Sequence, residues 1–460
     1  MSVRSVVIAE SDYVALRTGL FTPDGMENAA LLMSGRSATA RGTRLLVREV
    51  LAVPRDAYVE RLPYHLEIAP RFINDAISMC LAKGFGIVVV HSHRGAGRAS
   101  YSISDDHGER RLFRVFSDLL GDGRHASLLL TEHDLVGRTF VGDREVSIET
   151  LSIVGNRTQE LRLSETGSDQ RPSVAESQRS RERLAFGGAG QRRISRLRVG
   201  VVGLGGTGSA IVEQLARLGV EHFECVDQDK FEPSNLSRTY GSYFKDTRRK
   251  GLSKTAIASR LATSVNPEAH VEGIKDNIVR QSVLMQLRDC DVIFSCTDND
   301  LSRAALNRMA YQYLIPLIDL GIRITTSEGS VTGVGGRVAR VGPDAPCLRC
   351  AHHLDPERIR VEAMPPEQRV SLLREHYITG IDDPVPAVIS YNTTVASLAV
   401  SELLDLLLGI GIEGRPNELI YDGLEGNVFR ARTVSDPHCD ICSVNGLKAT
   451  GDLQIVSAYS

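Results

Sequence analysis

The segment RVGVVGLGGTGSAIVEQLARLGV, residues 198–220, constrains this chain more than any other stretch. It runs from apolar residues through a cluster of glycines into apolar positions at helical spacing, the pattern of strand, tight turn and amphipathic helix. Strand and helix signals then alternate from Leu197 to beyond Glu402, which predicts an α/β, Rossmann-like, mostly parallel sheet with helices on its faces. Gly203, Gly205, Gly206 and Gly208 let the backbone approach a phosphate at the helix start, where free amides and the helix dipole favour an anion. Enzymes of NAD and of ATP share that device, so the turn alone does not choose between them.

The residues that follow favour ATP. In FECVDQDKFEPSNLSRTY a second strand ends at Asp227, placed to accept hydrogen bonds from ribose hydroxyls. Asn235, Arg238 and Lys254 add an amide and two cations, more positive charge than a bridging pyrophosphate needs. Taken singly, Arg238 and Lys254 are most simply solvated surface charges; their order in this set gives them weight. A further strand, DVIFSCTDND, delivers Asp298 at its C-terminal end, where open α/β sheets place ligands. A carboxylate beside phosphates there suits Mg2+.

These pieces, with RERLAFGGAGQ, GLSK, CTDN and two separated Cys-x-x-Cys pairs, resemble the MoeB/ThiF/ubiquitin-activating family from about Arg179 to Gly446. The resemblance implies that Asp227 holds ribose, that Asn235, Arg238 and Lys254 bind the triphosphate, and that Asp298 binds magnesium and helps position an attacking carboxylate. It further implies a homodimer in which Arg181, or Arg179, reaches across to the phosphates. The implied substrate is a ubiquitin-like protein or peptide with a C-terminal glycine, adenylated on its carboxylate, with a conjugating-enzyme-like protein as a possible later partner.

The pairs Cys347–Cys350 and Cys439–Cys442 can supply four thiolates to one closed, structural Zn2+ site. Many relatives carry an acyl-accepting cysteine after the first pair, but residues 351–411 contain none. The acyl-adenylate is therefore expected to pass straight to a partner's cysteine, to sulfide or to an amine.

Residues 1–155 form a separate expectation. GIVVVHSHRGAGRASYSISDD ends a hydrophobic strand in His91 and His93, which point to the same side of an extended chain. With Asp105 they make a three-ligand set that leaves one metal position open. This resembles the JAMM (MPN+) metalloprotease signature, which implies Glu27 as general acid/base and Ser102 as an oxyanion stabiliser. The His93–Ser102 gap is one residue longer than the usual pattern, which leaves Asp106 as the alternative to Asp105. Arg94 stands where a proline is common, and Glu49 is a weaker alternative carboxylate.

The expected organisation is thus an N-terminal α/β JAMM/MPN-like domain (1–155), a polar linker (156–178), an adenylation domain with structural zinc (179–446) and a tail (447–460). The main expectation is a bifunctional enzyme that adenylates a ubiquitin-like modifier and cuts after its terminal glycine. The alternative is a sulfur-carrier-protein adenylyltransferase for cofactor or tRNA thiolation, its N-terminal domain only processing or binding the carrier. With 54 basic against 57 acidic side chains there is no polybasic signature for nucleic acid. No apolar run approaches a bilayer span and the first residues lack a signal-peptide pattern, so no membrane partner and a cytoplasmic location are expected.

Overall fold

A computed structural model describes residues 2–95, 97–163, 180–248, 251–365, 367–369, 386–412 and 414–454. The chain divides into two compact units, the first comprising Met1–Gln170, Gln312–Leu314 and Leu447–Ile455, the second Arg171–Tyr311, Ile315–Gly446 and Val456–Ser460.

The first unit holds β1 (Val3–Ala9), β2 (Ala29–Thr39), β3 (Gly42–Ala52), β4 (Tyr58–Leu62), β5 (His65–Ile68), β6 (Gly86–Ser92), β7 (His125–Leu130), β8 (Leu135–Val141), β9 (Arg144–Ser147), β10 (Thr150–Val154) and β11 (Gln159–Arg162). All but the β4–β5 hairpin join one sheet in the order β11-β10-β1-β3-β2-β6-β7-β8-β9. The central strands read as unbroken apolar runs because both faces are covered. Val88 and Val90 of β6 pack into one cluster with Leu16 and Leu20 of the helix Glu10–Leu20. Ile87 and Val89 face the other cluster, with Ile77 of the helix Pro70–Lys83 and Phe113 of the helix Ile103–Leu120. The linker expected from residue 156 starts later, because Gln159–Arg162 pairs antiparallel with β10. An edge strand exposed along most of its length carries polar residues and is indistinguishable from a loop in sequence. Most of the expected linker, 164–178, lies outside the described residues.

The second unit holds β12 (Arg198–Val202), β13 (His222–Val226), β14 (His270–Ile274), β15 (Val292–Ser295), β16 (Leu317–Ser327), β17 (Ser330–Val341), β18 (Glu418–Asp422) and β19 (Asn427–Ala431). Its sheet order is β14-β13-β12-β15-β16-β17-β18-β19. Pairing is parallel from β14 to β16 and antiparallel from β16 to β19. The sheet is therefore mixed, and the mostly parallel expectation describes one half of it. Val199 and Val201 of β12 pack with Ile211 and Leu215 of the helix Gly206–Leu218 and with Val395 and Ala399 of the helix Ile389–Leu408. No helix among the described residues is long and apolar enough to cross a membrane.

Candidate functional site

The parallel strands β12, β13, β14 and β15 all end at one cavity of about 270 Å³. Its wall includes Gly203, Gly205 and Gly206 from the turn after β12 and Asp227 from the end of β13. Asn235, Arg238, Lys254 and Asp298 line it as well. This is the carboxyl edge of the sheet, where helices begin and backbone amides point outward. Eight of the nine residues assigned to one nucleotide site from sequence, Asp298 among them, thus line one cavity.

Gly208 is a correction, for it does not line the cavity. A Cβ there would lie 1.8 Å from Gly203 O, so this glycine lets the helix close onto the turn. Arg181 lies exposed on the helix Ser180–Ser195 and is absent from the wall of its own chain's cavity. Arg179 lies outside the described residues.

The charges are arranged in pairs. Asp227 is buried, and its carboxylate accepts from Leu204 N at 2.7 Å and Asp229 N at 2.8 Å. Burial pushes its pKa up against the pull of Lys254. Lys254 Nζ lies 2.7 Å from Asp229 and 3.8 Å from Asp227, which holds the ammonium at the cavity. It starts the helix Lys254–Val265, capped by Ser253 Oγ accepting from Ala256 N. Asn235 Oδ1 accepts from Glu232 N at 3.0 Å, which fixes the short turn and leaves the side-chain NH2 for a ligand. Arg238 donates to Ser234 O at 2.9 Å.

Several wall residues were not singled out from sequence. Asp276, Asn277 and Ile278 follow β14, an edge strand whose polar face hid it. Ser302 and Arg303 belong to the helix Asp300–Gln312, and Asn392 to the helix Ile389–Leu408. The available signal was topological, since every strand of a parallel sheet ends on the same edge.

Cys296 also reaches the cavity wall. Burial raises its thiol pKa well above the ordinary range, so it is a poor nucleophile near neutral pH.

The four cysteines meet in the second unit, their sulfur atoms within 4.8 Å of one another. Cys347 Sγ lies 3.7 Å from Cys439 Sγ and Cys350 Sγ 3.5 Å from Cys442 Sγ. A tetrahedron with metal–sulfur bonds of about 2.3 Å has edges of about 3.8 Å, whereas a disulfide needs about 2.05 Å. Backbone N–H groups of Cys350, Asp436 and Ile441 point at the sulfurs, which favours thiolates. This donor set fits a Zn2+ ion.

In the first unit, β6 brings His91 and His93 to its end, and the helix Ile103–Leu120 brings Asp105. Asp105 lies 3.3 Å from His91 Nε2 and 3.4 Å from His93 Nε2. Asp106 instead pairs with Arg138, so Asp105 is the aspartate that faces both histidines. His91 Nε2 is buried and faces the Asp105 carboxylate without a well-aligned hydrogen bond. Glu27 is buried with Oε1 3.8 Å from His93, and burial raises its pKa against the histidines' attraction. Glu49 is exposed on β3. Ser102 is the N-cap of its helix, accepting from Asp105 N at 3.2 Å while its own N–H donates to Asp105 at 2.7 Å. The hydroxyl expected for an oxyanion thus has a structural duty, and its proton stays free to donate.

Comparison with known proteins agrees with the geometry of the second unit. The model of the ThiF family matches residues 179–444. The chain belongs to the ThiF family. It is similar to the SAMP-activating enzyme E1 of Haloferax volcanii, 28% identical over 274 residues, 59% of this chain and 90% of that protein. It is also similar to the sulfur carrier protein adenylyltransferase of Thermus thermophilus, 31% identical over 263 residues, 56% of this chain and 86% of that protein. Among solved structures, that of E. coli MccB with ATP matches with a TM-score of 0.45 and 17% identity, over 59% of this chain and 74% of that one. The ThiF match begins after the first unit's nine-stranded sheet, so the family assignment speaks for the second unit.

Proposed function

We propose that this ThiF-family chain adenylates the C-terminal carboxylate of a small carrier protein, with a sulfur-carrier-type protein ending in glycine as substrate. One observation carries the reading. A single cavity gathers the glycine turn, Arg238, Lys254, Asp227 and Asp298 where parallel strands end. The similarity to a sulfur carrier protein adenylyltransferase supports that substrate class, and a ubiquitin-like modifier remains the related reading through the SAMP-activating enzyme.

In this reading the turn amides and the helix dipole bind phosphate oxygens, while Arg238 and Lys254 balance the triphosphate charge. Asp227 takes the ribose hydroxyls. A carboxylate oxygen of the carrier attacks the α-phosphorus; the bond to the β-phosphate breaks, giving acyl-adenylate and pyrophosphate. Asp298 would hold Mg2+, which supplies charge neutralisation at the phosphates when bound. Among the described residues no cysteine is both exposed and placed for thioester formation, which supports release of the adenylate to an external acceptor. Arg181 would complete the site from a second copy of the chain.

The test is carrier-dependent exchange of labelled pyrophosphate into ATP. Exchange with a carrier ending in Gly-Gly, lost when that tail is removed, is expected. Tight binding of NAD(H) with no binding of ATP would overturn the reading.

A second reading concerns the first unit and rests on the convergence of His91, His93, Asp105 and Glu27. We propose a JAMM-type metal site that trims the same carrier after its terminal glycine. A bound Zn2+ would supply a polarised water. Glu27, kept protonatable by burial, sits where it can exchange a proton with such a water. Elemental analysis should then return two metal ions per chain; one ion per chain would refute this second site.

A further inference from the structure

Asn392 lies one turn into the helix Ile389–Leu408 and is only 3% exposed, yet it forms part of the adenylation cavity's wall. Its backbone N–H is satisfied by Val388 O at 3.1 Å. That backbone bond is the one hydrogen bond seen for Asn392 among the described residues, and its side-chain amide opens on the cavity. An amide on a cavity wall that makes no bond within the protein keeps its two N–H donors for an acceptor that enters the cavity.

The surroundings say what kind of acceptor. The amide nitrogen presses against Gly206, where an added Cβ would stand 2.2 Å from it, so it sits beside the first residue of the helix Gly206–Leu218. Pro386 and Ala387, just ahead of the 20-residue helix that carries Asn392, line the same cavity. Two helix starts thus meet at this amide, and both present positive ends. Thr297 Oγ1, which is buried without a partner, belongs to the same wall. Each of these groups favours an oxygen carrying negative charge.

We propose that Asn392 is an oxyanion-binding residue of this cavity, its amide donating to an oxygen at the reacting centre. That oxygen belongs either to the α-phosphoryl group or to the acyl carboxylate joined to it. The assignment rests on the adenylation reading of the cavity. A neutral amide is suited to this place, because it directs an oxygen without adding charge to the cation side formed by Arg238 and Lys254.

The test needs no identified carrier. The full-length protein is titrated calorimetrically with ATP and with glycyl-sulfamoyladenosine, a stable mimic of an acyl-adenylate. Wild-type protein that binds neither would sink the adenylation reading and this assignment with it. Given wild-type binding, Asn392→Leu is expected to weaken the mimic about tenfold or more, the size of one lost buried hydrogen bond to a charged group. If ATP changes little, the contact is to the acyl oxygen; if ATP weakens equally, it is to the α-phosphoryl oxygen. Asn392→Asp keeps the shape and repels anions, so it should weaken both ligands even if the leucine variant folds poorly. Asn392→Thr, which restores one donor, should recover part of the loss. Binding of both ligands within about twofold of wild type in the leucine and aspartate variants, each with an unchanged melting temperature, overturns the proposal.

Discussion

Lys254 shows how a single charge is prepared for a ligand. Its ammonium is held 2.7 Å from Asp229 and 3.8 Å from Asp227, so in the proposed nucleotide site its position would be set before the ligand arrives, with little side-chain entropy left to lose. Lys254→Ala should therefore cut pyrophosphate exchange by about 10²–10³, the usual range for one preorganised electrostatic group; exchange within threefold or so of wild type would refute its role. Asp298→Ala should abolish exchange while any peptidase activity persists, which a coupled assay of both reactions on one preparation checks. In the first unit, Glu27→Gln keeps the shape and removes the proton acceptor, so cleavage should vanish while metal content by elemental analysis stays at wild-type level; loss of the metal would make Glu27 a ligand instead. Most residues of the two candidate sites could be picked out in the sequence because short polar motifs followed apolar runs, as in VVVHSH and VDQDKFEPSN. Asn392 was not legible, since an asparagine inside an otherwise apolar helix gives no sign of which face meets a ligand.

At the scale of elements, period and punctuation carried the expectation where a strand is buried on both faces. β6 and β12 are continuous apolar runs and stood out. β14 and β11 are edge strands with largely exposed residues, and their polar composition masks them. The antiparallel half of the second sheet escaped for a related reason. The hairpin of β16 and β17 runs its pairing out to Ser327 and Ser330 through Thr, Ser and Gly residues that resemble a loop in sequence. The thiolate cluster joins elements that no periodicity links, since its two pairs are separated by 88 residues between Cys350 and Cys439; only the Cys-x-x-Cys spacing revealed it. Because a structural Zn2+ site can contribute about 10–16 kcal/mol to ordering its segments, Cys350→Ser or prolonged chelation should lower the melting temperature and release one metal ion per chain. A protein that melts unchanged after the metal is removed would show that these thiols do not hold a structural ion.

The whole molecule is not divided where its sequence changes character. The first unit recruits Gln312–Leu314 and Leu447–Ile455 from far along the chain, so the stretch set apart as a tail is in part a piece of the N-terminal unit. The reason lies in strand lengths. β2 spans 11 residues, but β6 pairs only with Ala29–Ser34, which leaves Gly35–Thr39 as an open edge on that side. Asp452 N donates to Arg36 O at 2.7 Å, and Asp452 Oδ2 accepts from Ala38 N at 2.8 Å, closing it. Leu453 packs onto the cluster that contains Leu31 and Met33, and Gln312 Nε2 holds Gly451 O at 2.7 Å and Gln454 O at 2.8 Å. An unpaired edge invites association with other chains, and these bonds cover part of it. Leu453→Ala should destabilise the first unit by about 1–2 kcal/mol, the value of a partly buried leucine, and Asp452→Ala should free the Ala38 amide. Hydrogen exchange read at single-residue resolution checks both: faster exchange at Ala38 and along the later half of β2 is expected, with the second unit unchanged. Wild-type protection at Ala38 in the Asp452→Ala protein would mean that this edge is closed by something other than the C-terminal segment.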